Sequence, residues 1–88
     1  LMLLGKRAAE ERLAALLLNL SQRYGLRGYS SIEFNLSMSR HDIANYLGLA
    51  VETVSRLFSR MQEDGMLAVR SRHVRLTDID KLRALARV

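Results

Sequence analysis

Ser39-Arg40-His41-Asp42-Ile43-Ala44-Asn45-Tyr46-Leu47-Gly48-Leu49-Ala50-Val51-Glu52-Thr53-Val54-Ser55-Arg56-Leu57 carries two apolar stripes at helical spacing, separated by a glycine. Either Ser37 or Ser39 can cap the first helix with its hydroxyl, because the leading N–H groups of a helix have no internal partners. Ile43, Ala44 and Leu47 then form a short stripe that ends at Gly48, which leaves room for only about two turns. Leu49-Ala50 continues the turn, and the spacing of Val54, Leu57, Phe58 and Met61 predicts a second helix over 51–64 that Gly65 ends. Two short helices joined so tightly must cross steeply, with a small residue at the crossing and apolar ones around it. Ala44 suits the crossing, Gly48 the strained turn position, and Ile43, Leu47, Leu49, Val54 and Leu57 a shared core. Residues 39–64 therefore read as a helix-turn-helix.

Working outward, Ala9, Leu13, Leu16, Leu17, Leu20 and Tyr24 recur at steps of three and four, which predicts a long helix from Arg7 to Tyr24. Gly25 and Gly28 are expected to stop it, and Gly25 to Ser31 to form a loop. Ile32 to Leu36 alternates apolar and polar residues, the pattern of a half-buried strand. On the other side, Met66 to Val69 and His73 to Leu76 are strand candidates around the polar turn Arg70-Ser71-Arg72, a wing hairpin over 66–76. Thr77 is placed to cap a last helix, Asp78 to Ala86, with acids in its first turn and Arg83 and Arg87 toward its end. The expected fold is mainly α with a small β-sheet, a winged helix-turn-helix, and 88 residues suit one domain over 1–88.

Composition narrows the chemistry. Hydrophobic residues make up 49% of the chain and charged ones 26%, an ordinary globular balance. The absence of cysteine excludes disulfides, thiolate metal ligands and cysteine nucleophiles, and fits a cytoplasmic setting. Leu1 to Leu4 is far too short an apolar run to span a bilayer. The formal charge of +5 points to an anionic partner, because a basic surface concentrates polyanions and gains from counterion release.

On the predicted second helix the outward residues are Val51, Glu52, Ser55 and Arg56. In a helix-turn-helix the N-terminal half of that helix enters the major groove, which makes these four the candidate base readers. Arginine can bond guanine O6 and N7 together, and a carboxylate can accept from the cytosine amino group. A plainer reading is an exposed ion pair between Glu52 and Arg56, four residues apart, contributing only about 0.2–0.5 kcal/mol.

At these residues the chain closely resembles the reading head of the Crp/Fnr regulators, and within them the Fnr branch, whose Glu-x-x-Ser-Arg order is met by Glu52, Ser55 and Arg56. Val51 and Ser55 depart from the cyclic-AMP receptor branch, which has arginine and glycine there. The resemblance extends upstream through Ala8 to Ala14 and downstream through Gly65 to Val69. It implies a bacterial transcription regulator or activator reading double-stranded DNA at a TTGAT-type half-site, with Arg56 on the guanine, Glu52 on the cytosine of the TGA core, Ser55 on an outer thymine and Val51 adding an apolar contact. It also implies a C-terminal fragment, with residues 1–5 ending a dimerisation helix and the sensory part missing. An iron-sulfur cluster would belong to that part, and no cofactor is expected in this segment. The full-length protein is expected to be a homodimer and the fragment a monomer, with the loop over 27–31 resembling a contact site for RNA polymerase.

Phosphate contacts are assigned by position and charge: Ser39, Arg40 and His41 at a helix start, Thr53 beside the reading face, Arg60 on the second helix, and Arg70, Arg72 and His73 on the wing. The wing equally suits a solvated hairpin, and Arg60 a surface role. Arg75, Arg83 and Arg87 read as solvated charge, and Tyr29 can cover an edge of the core. Ser39, His41 and Asp42 are neighbours in sequence, but a helix cap explains them better than a catalytic triad, and the two histidines lack metal-ligand spacing. No enzyme is expected. The alternative is a winged helix that binds only protein, for which apolar outward residues would be needed.

Overall fold

The computed structural model describes residues 6–87, so the sequence reading of 1–5 lies outside the described residues. The elements run α1 (Lys6–Leu26), β1 (Glu33–Asn35), α2 (Arg40–Leu47), α3 (Val51–Glu63), β2 (Leu67–Arg70), β3 (His73–Leu76) and α4 (Ile79–Ala86). Among these none is a helix long and apolar enough to cross a membrane.

α2 and α3 form where the sequence places them. Ser39 has an extended backbone and accepts from the Asp42 N–H at 3.1 Å, while the Asp42 carboxylate accepts from the Ser39 N–H at 3.0 Å. This reciprocal pair is a capping box, which satisfies two donors that the helix itself cannot. At the other end Gly48 takes φ 71°, the left-handed conformation that turns the chain back, and Leu49 N–H reaches the Ala44 carbonyl at 2.9 Å. Ile43, Ala44 and Leu47 of α2 and Val54, Leu57, Phe58 and Met61 of α3 are all buried, and Leu49 packs at the edge. Burial of each large side chain contributes about 1.5–3 kcal/mol, which lets an eight-residue helix persist.

α1 packs against α2 on one side and, far more extensively, against α4 on the other. Ala9, Leu13 and Leu17 are buried as the periodicity requires; Ala14 is buried too, because the helix is packed on two sides. Gly25 does not stop the helix, which runs on through Leu26. A Cβ at Gly25 would stand 3.3 Å from that of Ser31, so this glycine serves a close approach of the following loop. The left-handed exit is at Gly28, with φ 86°.

The sheet is antiparallel in the order β1-β3-β2, with Phe34, Val74 and Val69 in one row. Phe34 and Leu36 point inward as alternation predicts, whereas Ile32 is exposed and only its backbone is used, its carbonyl accepting from Leu76 N–H at 2.6 Å. The wing hairpin differs from expectation in register. Arg70 pairs with His73 inside the ladder, which leaves a two-residue turn, Ser71-Arg72, and Met66 precedes the strand. Met66 stays out because its carbonyl receives the N–H groups of Thr77 and Asp78. Thr77 is not the cap of α4: its hydroxyl donates to the Gly65 carbonyl at 2.8 Å, and Asp78 caps instead, accepting from Lys81 N–H at 3.0 Å.

Two outcomes follow for α2. No atom obstructs a Cβ at Gly48, so Gly48→Ala is expected to cost only the left-handed backbone penalty, about 1–2 kcal/mol in urea unfolding; no loss would contradict the conformation assigned. The Ser39 backbone and side chain hold the Asp42 carboxyl below its ordinary range. A depressed carboxyl stabilises the fold above its unfolded pKa of about 3.9, and that contribution disappears as pH falls through the folded value. Asp42→Asn is therefore expected to flatten the acid limb of the stability profile below about pH 4, and an unaltered limb would remove the capping carboxylate from the account.

Candidate nucleic-acid interface

α3 has two unlike faces. Its inner residues are buried, while Glu52, Ser55 and Arg56 are exposed on the outer side near its N-terminus. Val51 is half-buried and packs against the core, so it offers less outward surface than the other three. Ser59 continues the exposed face and lines a shallow hollow with Ser55, Arg56, Arg60 and Glu63; four-residue spacing from Ser55 could have revealed it in the sequence. No ion pair joins Glu52 to Arg56 among the described residues, and neither side chain makes an intramolecular hydrogen bond there. Glu52 lies in the first turn of α3, whose cap residue Ala50 supplies no side-chain acceptor, and there the helix dipole favours a carboxylate.

Three polar contacts hold α2 and α3 to their neighbours. Arg60 Nη1 donates to Glu10 Oε1 of α1 at 2.7 Å, with Glu10 only 15% exposed. Gln62 Oε1 accepts from the Val69 N–H at 2.8 Å, joining the far end of α3 to β2. Arg12 Nη1 donates to the Leu47 carbonyl at 2.7 Å, tying α1 to the end of α2.

The eight residues assigned to phosphate by sequence fall into two groups. Ser39 accepts in the capping box but keeps its hydroxyl proton, His41 is exposed beside it, and Thr53 is half-buried near the N-terminus of α3. Arg70 is exposed at the end of β2 and makes no side-chain hydrogen bond among the described residues, and Arg72 is exposed on the turn, 3.5 Å from the Ser37 carbonyl. The other three are engaged within the protein. Arg60 is paired with Glu10. The His73 ring lies between Glu33 Oε1 at 2.8 Å and Asn35 Oδ1 at 3.2 Å. Arg40 Nη2 donates to the Ser71 carbonyl at 2.7 Å, and its guanidinium stands 4.3 Å from the centre of the Phe58 ring. Burial, and then the like charge of Arg72, lower the Arg40 pKa from its ordinary value.

Elsewhere, Arg87 is not merely solvated: its Nε lies 3.0 Å from Glu11 Oε1, and Arg83 approaches Asp80 at 3.8 Å. Tyr29 is 68% exposed, edge-on to Tyr24, so it covers little of the core. Tyr24 itself stacks on Phe34 with ring centres 5.0 Å apart. Among the described residues no group of three or more histidine, cysteine or acidic side chains is arranged to hold a metal ion.

Residues 11–85 match the model of the Crp-like helix-turn-helix domain. The chain belongs to that family. Over 86 residues, 98% of its length, this Crp-like domain is 55% identical to the fumarate and nitrate reduction regulatory protein of Salmonella typhimurium. It is 58% identical over 81 residues to the transcriptional regulatory protein btr of Bordetella pertussis. It spans about a third of each of these relatives, 34% in both cases. Among solved structures, FixK2 from Bradyrhizobium japonicum superposes with a TM-score of 0.77 at 37% identity, covering 88% of this chain and 37% of that one. The Crp-like family and its Fnr-type members are thus those indicated by residues 39–57.

If the contact between Arg60 and Glu10 aims α3, the two residues act as a unit. Glu10→Gln is expected to cost about 1 kcal/mol or less, given the half-exposed arginine, and Arg60→Gln should add little in that background. Full additivity in urea melts would show the pair to be uncoupled.

Proposed function

We propose that this Crp-like domain binds double-stranded DNA for a transcription regulator, with the outer face of α3 reading base edges in the major groove. One observation carries the reading: a carboxylate, a hydroxyl and a guanidinium, at Glu52, Ser55 and Arg56, stand exposed on one face of a rigidly held helix with their hydrogen-bonding capacity unspent. An outward face intended only for protein would gain from apolar groups, which this one lacks. The +5 charge favours the approach of a polyanion, and the relatives are named as regulatory proteins, that of Bordetella pertussis as a transcriptional one.

The half-site we assign is of the TTGAT type. Arg56 bonds the guanine by two parallel N–H groups, Glu52 accepts from the cytosine amino group, Ser55 meets an outer thymine, and the exposed edge of Val51 touches a thymine methyl. Ser39, His41, Thr53, Arg70 and Arg72 supply the phosphate contacts that set register. Arg60 and His73 already have partners, so their share is smaller. In the longer regulator a second copy reads the other half-site, and the loop over 27–31, with Tyr29 exposed, faces RNA polymerase. The role is one of binding rather than catalysis.

The reading is tested by titrating duplexes randomised within the half-site at two salt concentrations. Arg56→Ala is expected to cost about 1–3 kcal/mol on a TTGAT duplex and to lose preference at the guanine. Arg70→Gln should weaken all duplexes alike and make the salt slope shallower by about one unit. An equal loss for Arg56→Ala on scrambled DNA refutes its role as a base reader.

A further inference from the structure

The wing turn is built without glycine, yet Ser71 takes φ 56°. A two-residue hairpin turn calls for that left-handed region at its first position, where a residue with a side chain sits at a cost, so neighbouring contacts help to hold it. What surrounds Ser71 is Arg40. Its Nη2 donates to the Ser71 carbonyl at 2.7 Å, while the Cζ of the same guanidinium lies over the Phe58 ring, 4.3 Å from its centre. Phe58 belongs to the buried side of α3 and is 2% exposed, and the Arg40 backbone opens α2 directly after the capping box. One side chain therefore touches both helices of the helix-turn-helix and the tip of the wing. Beside it, the Leu36 N–H donates to the Arg72 carbonyl at 2.7 Å, a second tie between the turn and the chain leading into α2.

We infer that Arg40 is a positioning residue, a clamp that fixes the wing turn against the reading helix, so that the grip of Arg70 on phosphate depends on it. The inference rests on the DNA reading given above. It also separates Arg40 from the other cations of this face. A phosphate ligand contributes wherever its own phosphate is, independently of the wing, whereas a clamp contributes only through the groups it places. A position over an aromatic ring together with a hydrogen bond from the same group restrains a guanidinium at two points, which neither lysine nor glutamine can reproduce.

The test is a double-mutant cycle on the 88-residue chain, with affinity for a TTGAT duplex as the readout. Arg40→Gln and Arg70→Gln are each expected to weaken binding by about tenfold, and together by no more than about twofold beyond Arg70→Gln alone. Combined with Arg56→Ala, Arg40→Gln should instead multiply in full, because base reading by α3 does not pass through the wing. Amide hydrogen exchange in the free protein supplies the second measurement. Leu36 N–H, bonded to the turn, should exchange about tenfold faster in Arg40→Gln while Val54 N–H in α3 is unchanged. Full multiplication of Arg40→Gln with Arg70→Gln would overturn the inference and make Arg40 a phosphate ligand in its own right. Equal acceleration of both amides would also overturn it, as general loosening of the fold. Should the unmodified protein fail to bind any duplex, the DNA reading falls, and the comparison of Leu36 with Val54 alone decides the clamp.

Discussion

The close crossing of α2 and α3 is the constraint on which the rest of this structure depends. α2 has eight residues, too few to be stable as an isolated helix, and it persists because each end is finished and one face is buried. The Ser39–Asp42 box closes its start, Gly48 turns its end, and Ala44, 2% exposed, is buried with Ile43 and Leu47 on its inner face. A larger residue at that crossing or a right-handed one at the turn would move α3 as a body. Everything the outer face of α3 can do therefore depends on atoms that never reach that face.

From that crossing the polar ties radiate. Arg12 binds the last carbonyl of α2, Arg60 joins α3 to Glu10, Gln62 holds β2, and Arg40 reaches the wing. Each uses a cation or an amide to tie one element to another. The result is a division among the polar groups of one surface: those that fix the frame are occupied, while Glu52, Ser55 and Arg56 remain open. A net basic charge favours the approach of a polyanion, and in the proposed function the open groups supply the discrimination between sequences, because phosphate contacts carry no base information.

Much of this was legible in the sequence because the signals were local. Ser39, Gly48 and Gly65 punctuate the two helices through short-range backbone chemistry, and the stripe from Val54 to Met61 reports the buried side of α3 directly. Where the reading went astray, a tertiary contact had decided the outcome. Gly25 is a point of close approach to Ser31 rather than a stop, and Thr77 is drawn to the Gly65 carbonyl, which passes the cap of α4 to Asp78. The internal partners of Arg40, Arg60 and His73 were equally hidden, since Ser71, Glu10 and Glu33 are 31, 50 and 40 residues away. No spacing rule reaches that far. The outward face, by contrast, needed only the helical period and the position after the turn.

The most direct measurement is the affinity of the protein for a half-site duplex whose guanine carries carbon in place of N7, compared with the natural duplex. If Arg56 bonds that edge, removing the acceptor should cost the unmodified protein about 1–3 kcal/mol and cost Arg56→Ala almost nothing further. Identical losses in both proteins, or none in either, would contradict the claim that the outer face of α3 recognises bases.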